Sequence, residues 1–120
     1  MSKTDYFKRP GNGRQPAKEW YDGQDRNVQV SVDARLDALR EDWRYLVDTG
    51  TLVPITRKYK EHGFYELKDT KEKWRLFMFH DLSNDRFILL DGYRKTKSSK
   101  KEQEAAIRKA HGFLKEYWGE

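Results

Sequence analysis

The run of residues 73–80 carries the first side chains whose types suggest chemistry. Side chains alternate between faces along a strand, so Trp74, Leu76 and Met78 share one face and Arg75, Phe77 and Phe79 the other. A two-residue turn at Ser83 and Asn84, or at Asn84 and Asp85, places Ile88, Leu90 and Gly92 beside the second set, with Arg94 beyond them. An arginine at each end of an aromatic and aliphatic strip suits a phosphate chain with a stacked base. The same alternation fits a second layer of core, in which Phe77 and Phe79 are packed and Arg75 snorkels past them.

A second group follows directly. Residues 93–101 hold Tyr93, Arg94, Lys95, Lys97, Lys100 and Lys101 with no acid among them. The run lies between a strand end and a helix start, where unpaired backbone N–H groups and the helix dipole both favour anions. A solvated basic loop is the plainer reading of such a run; the neighbouring tyrosine adds a stacking group and tilts it toward nucleic acid.

Conventional catalytic sets are missing. His62, His80 and His111 lack metal-ligand spacing, no serine or threonine has a nucleophile context, and there is no glycine-rich phosphate loop. Neither a cofactor nor a metal is expected. His80 followed by Asp81 suggests an acid–base pair, but Asp81 falls in a predicted turn.

The elements that must position these groups are legible from periodicity. Residues 64–68, 73–80 and 86–92 read as strands, the last two as an antiparallel hairpin, with a possible extra strand at 5–8. Val28, Val32, Leu36, Leu39, Trp43 and Leu46 step by three and four, which predicts a long amphipathic helix ending near residues 48–50. Pro16 can open a short helix through Trp20 and Tyr21. Ser99 and Glu102 have capping-box spacing ahead of a last helix with Ala106, Ala110, Phe113 and Tyr117 on one face. Gly112 costs that helix about 1 kcal/mol relative to alanine, so its second half is expected to fray or stop early. Residues 8–15, with Pro10, Gly11 and Gly13, read as a loose loop. The result is one α+β domain over residues 1–120, its sheet packed on the N-terminal helices and carrying a C-terminal helix.

Composition bounds the partners. A chain of 120 residues with 38% charged side chains would approach disorder, were it not for 14% aromatics, each of which buries a large area. A net charge of +5 and a pI near 9.4 attract polyanions. There is no cysteine, no long apolar run and no secretory signal, so a cytoplasmic protein that does not engage a membrane is expected.

Taken in order, Gly63-Phe64-Tyr65-Glu66-Leu67-Lys68, then Trp74-Arg75-Leu76-Phe77-Met78-Phe79, then Ile88-Leu89-Leu90-Asp91-Gly92-Tyr93-Arg94-Lys95 resemble the phage-derived HigB-like branch of the RelE/ParE toxin superfamily. The resemblance covers about residues 16–117. The chain departs from the pattern at Asp91, where the family often has His, at Thr96, where it has Lys, and at Ser98 and Ser99, where it has Thr-Pro. The resemblance implies a compact RelE-like fold and a type II toxin that acts as a metal-independent endoribonuclease, or mRNA interferase, cleaving mRNA on the ribosome to inhibit translation. It also implies a cognate antitoxin held in a hetero-oligomer. Carried over by position, it makes Arg75, Tyr93, Arg94, Lys95 and Lys97 candidate catalytic residues, with Arg75 on the scissile phosphate, and leaves the acid–base assignment open at Asp91. Phe77, Phe79, Lys100 and Lys101 are the candidate RNA-binding residues. Two alternatives remain at this level: a non-catalytic, ParE-like protein-binding toxin that inhibits gyrase, and a phage accessory RNA-binding protein.

Overall fold

One sheet with two apolar faces determines the layering. The computed structural model describes residues 1–56, 59, 62–95 and 100–120. In chain order the elements are β1 (Lys3–Tyr6), α1 (Pro16–Asp22), α2 (Arg26–Asp48), β2 (Leu52–Pro54), β3 (Phe64–Asp69), β4 (Trp74–Asp81), β5 (Arg86–Arg94) and α3 (Lys100–Tyr117). The strands lie in the order β1-β5-β4-β3-β2; β1 runs parallel to β5 and the other neighbours are antiparallel. The chain is an α+β fold.

Alternation sorts the side chains as the sequence predicts. Trp74, Leu76 and Met78 join Phe87, Leu89 and Leu67 on one face, against Val28, Val32, Leu36, Leu39 and Leu46 of α2 and Ala17 of α1. Phe64, Phe77, Ile88 and Leu90 form the other face, under Ala110, Phe113 and Leu114 of α3. Both faces are therefore covered. Phe7, just after β1, seals the second layer against Phe113 and Tyr117.

Local signals set the ends. Asp25 caps α2 by accepting the Val28 N–H at 3.0 Å, as a residue in extended conformation before a helix commonly does. Within α2 the backbone leaves the helical region at Asp42 (φ −157°, ψ 81°), whose carboxylate accepts the Tyr45 N–H at 3.3 Å and restarts the last turns. The β4–β5 connection is a tight turn with Ser83 and Asn84 at its centre, closed from Asp85 N–H to the Leu82 carbonyl at 3.3 Å. Residues 8–15, expected to be loose, form a turn in which Arg9 and Arg14 are joined by a backbone hydrogen bond of 2.7 Å.

Two expectations are corrected. Helix α3 runs unbroken past Gly112 to Tyr117, because Phe113 and Leu114 are buried on the sheet beyond it and their packing outweighs the local propensity cost. The pairing parity also changes inside the β4–β5 ladder: Phe79 pairs with Ile88 and Met78 with Leu89, but Phe77 pairs with Asp91, so the register shifts between Phe77 and Met78. An extra residue in one strand of a pair reverses the facing of everything beyond it. Gly92 and Arg94 consequently face α1 and α2, not the strip that contains Phe77.

Candidate active site and nucleic-acid interface

The register aligns Lys68, Arg75 and Tyr93 across β3, β4 and β5, with Glu66 and Phe77 in the adjacent row. All lie on the α3 face, at the end where α3 begins. Arg75 is largely buried there. Its Nη1 donates to the Trp74 carbonyl at 3.0 Å, while its Nε stands 3.6 Å from Glu66 Oε1 and makes no hydrogen bond. Glu66 is equally enclosed and accepts from the Gln103 side-chain amide at 3.1 Å. Burial pushes the Glu66 carboxyl above the ordinary carboxylate range, against the opposing pull of Arg75, Gln103, Lys68 and Lys95. Tyr93 donates its hydroxyl to Glu102 at 3.3 Å; burial, then this hydrogen bond, raises its phenol. Lys95 is fixed beside the group by its backbone N–H on the Lys73 carbonyl at 2.7 Å.

Glu66 also lines a cleft of 350 Å³ between the β2 edge and α3, with Val53 and Tyr59 on one wall and Lys100, Gln103 and Arg108 on the other. Tyr59 is held by rings on two sides, Phe64 edge-on and His111 at 4.3 Å. The cleft thus offers cationic groups, an aromatic wall and, at its floor, a carboxyl with raised proton affinity beside a guanidinium. Such a set can move a proton and stabilise a growing negative charge.

No family model matches this chain, and no curated protein does. The site therefore rests on its geometry. Among the described residues no cluster of His, Asp and Glu is placed to hold a metal ion, and no helix is long and apolar enough to cross a membrane.

The structure brings together only part of the set proposed from sequence. Arg75, Tyr93 and Lys95 are adjacent, and Lys100 and Lys101 are exposed at the start of α3 beside them. Lys97 lies outside the described residues, as do Ser99 and its capping box. Phe77 is fully buried beneath α3, so it is core and offers no face to a base. Phe79 is half-buried at the far end of α3, edge-on to Trp118 at 5.3 Å, and serves packing as well. Arg94, turned to the other face by the register shift, pairs with Asp25 at 3.0 Å and so braces the α2 cap. Asp91 lies opposite Phe77, in the row that also holds Glu66, and is buried with its carboxylate 3.8 Å from Lys109 on the other flank of α3. His80 bonds Asp85 at 3.0 Å and stacks on Phe87; its partner is not Asp81.

Glu66 is the functional candidate that the strip argument overlooked. Its signal was present: alternation places it with Phe64 and Lys68, and an acid in the middle of a strand buried on both faces needs a reason.

Proposed function

We propose that the protein is a metal-independent endoribonuclease of the RelE/HigB type, a toxin that cuts mRNA on the ribosome and is neutralised by a protein antitoxin. The observation that carries this reading is the Arg75–Glu66 pair: a guanidinium with an unsatisfied Nε, 3.6 Å from a buried carboxyl that lines an open cleft. Further support comes from the order of elements, from Tyr93 and Lys95 beside the pair, and from a net charge of +5.

In this reading ionised Glu66 takes the proton of an RNA 2'-hydroxyl. The 2'-oxygen then bonds to the adjacent phosphorus, and the bond from phosphorus to the 5'-oxygen breaks. Tyr93 or Lys95 protonates the departing 5'-oxygen, leaving a 2',3'-cyclic phosphate and a 5'-hydroxyl. Arg75 and Lys95 offset the charge that accumulates on the phosphoryl oxygens. The raised proton affinity of Glu66 makes it a better base than an exposed carboxylate.

The test is cleavage of a defined mRNA by purified protein with and without ribosomes, with mapping of the 5' ends. Ribosome-stimulated cuts carrying 5'-hydroxyls are expected, slowed about 10²- to 10⁴-fold in Glu66→Gln. Growth arrest without transcript cleavage, together with inhibited DNA supercoiling, would replace this reading with the gyrase-directed one.

A further inference from the structure

On the opposite flank of α3 from Glu66 lies a larger cavity of 530 Å³, and nothing in the proposed reaction uses it. Its floor is Asp91, 7% exposed. One carboxylate oxygen accepts the Gly92 N–H at 2.9 Å and the other lies 3.8 Å from Lys109 Nζ, beyond hydrogen-bond reach. An ionised carboxylate offers roughly four acceptor positions, so Asp91 keeps acceptor capacity directed into the cavity. One wall is aromatic. Trp20 packs flat on the β5 backbone at Gly92, where any side chain would penetrate its indole ring, and Phe113 lies across from it. The rim carries Arg9, Arg14 and Lys109 together with the acid Glu19, and Arg9 is paired with Glu116 at 3.0 Å. Arg14 and Lys109 have about two thirds of their side chains in solvent; Arg14 is paired with Glu19 and Lys109 with Asp91 itself, so a bound anion would share these cations with the acids.

These features select a ligand class. A bare amine or guanidinium would satisfy Asp91 but would compete there with Lys109, already paired with it at 3.8 Å. Among the bases, adenine and cytosine present a single amino donor beside a ring acceptor, and uracil presents one N–H between two carbonyls; each sets an acceptor against the carboxylate. Guanine alone offers two adjacent donors, N1–H and the 2-amino group, that match both carboxylate oxygens, and a phosphate attached to its sugar would meet Arg14 and Lys109. We infer that the cavity formed by Trp20, Asp91, Phe113 and the Arg14–Lys109 rim binds a guanosine 5'-phosphate unit, with Asp91 reading the base edge. The volume suits one nucleotide. The unit is either a free nucleotide or a guanosine within an RNA strand, and the inference does not depend on cleavage at Glu66.

Calorimetric titration separates these cases. Guanosine, inosine and adenosine 5'-monophosphates are compared as free nucleotides, and short RNAs containing one G, or A in its place, are compared as strands; all strands carry 2'-O-methyl groups so that none can be cut. Guanosine monophosphate is expected to bind about tenfold or more tighter than adenosine monophosphate, with inosine monophosphate between them for want of the 2-amino donor. Asp91→Asn, which turns one acceptor into a donor, is expected to erase the preference, and Arg14→Gln to weaken nucleotides while leaving guanosine unchanged. A G preference confined to the strands assigns the site to RNA; one seen with monophosphates assigns it to free nucleotide. Equal affinity of the wild-type protein for G and A ligands in both formats overturns the inference without recourse to any variant.

Discussion

At Glu66 and Arg75 each residue explains the state of the other. A guanidinium buried on a sheet face requires an anion, and a buried carboxyl requires a donor. Replacing Arg75 by Ala therefore removes the cation proposed to bind phosphate and leaves Glu66 without its guanidinium partner. We predict that Arg75→Ala abolishes RNA cleavage and lowers stability by on the order of 2 kcal/mol at neutral pH. Adding Glu66→Gln should restore the melting temperature without restoring cleavage. Cleavage retained by a folded Arg75→Ala would remove Arg75 from the reaction. The pH dependence follows from the raised Glu66 and Asp91 carboxyls. For both, burial is the leading cause. Between the unfolded and the higher folded value the native state holds more protons than the unfolded chain, so these two groups make stability fall as pH rises through that window. Asp25, Asp69 and Asp85, lowered by hydrogen bonds or ion pairs, act the other way and lose their stabilising effect only at lower pH. The double variant Glu66→Gln with Asp91→Asn should therefore flatten the fall in melting temperature just above the ordinary carboxylate range while leaving the acid limb in place. An unchanged fall there would show that neither carboxyl titrates high. Arg75 and Tyr93 were legible in the sequence because charge and aromaticity in a strand stand out. Glu66 was not singled out because its meaning depends on Arg75, a partner that only the register of the neighbouring strand places diagonally across from it.

At the scale of elements, period and turn chemistry were sufficient for most of the fold. The three-and-four spacing of Val28, Val32, Leu36 and Leu39 locates α2 and its buried face, and Ser83 with Asn84 locates the hairpin turn. Leu39 has no solvent exposure and sits between α2 and the sheet, so Leu39→Ala should cost about 2–5 kcal/mol in chemical denaturation. A loss below 1 kcal/mol would contradict its place in the core. The register shift between Phe77 and Met78 was illegible, because a bulge adds one residue without altering the apolar pattern on either side of it. Its effects are specific. It sends Arg94 to the α2 cap, and it presses the Gly92 backbone against Trp20. Gly92→Ala should accordingly destabilise the fold by roughly 1–3 kcal/mol, since Trp20 must leave its position to admit even a methyl group; a neutral effect would mean that α1 yields freely. Phe77 was assigned to RNA because a strand read alone has one spare face, whereas α3 covers that face here. Whether a C-terminal helix folds back over a sheet is a tertiary outcome, and the apolar stripe of α3 was the only hint of it.

At the scale of the whole molecule, the excess of five positive charges matters chiefly where it is concentrated and unpaired. Arg9, Arg14, Lys18, Arg40, Arg86 and Arg94 are each engaged with an acid. Paired cations release fewer counterions when a polyanion binds, because part of their field is already cancelled. Among the described residues Lys95, Lys100 and Lys101 have no ion pair, and they cluster at the end of the sheet where Arg75 and Tyr93 meet the start of α3. They are the groups expected to hold the RNA backbone. If each contacts one phosphate of a single strand, at roughly 0.7 per contact they contribute about −2 to the log–log slope of affinity against salt concentration. Replacing all three by Gln should remove that much of the slope and leave the melting temperature nearly unchanged, since none of them is buried. Arg94→Gln provides the contrast: it should leave the slope almost intact and act through the α2 cap it shares with Asp25. Equal losses of slope from the triple variant and from Arg94→Gln would mean that attraction is spread over the whole basic surface. The path of the RNA would then no longer follow from where these lysines stand.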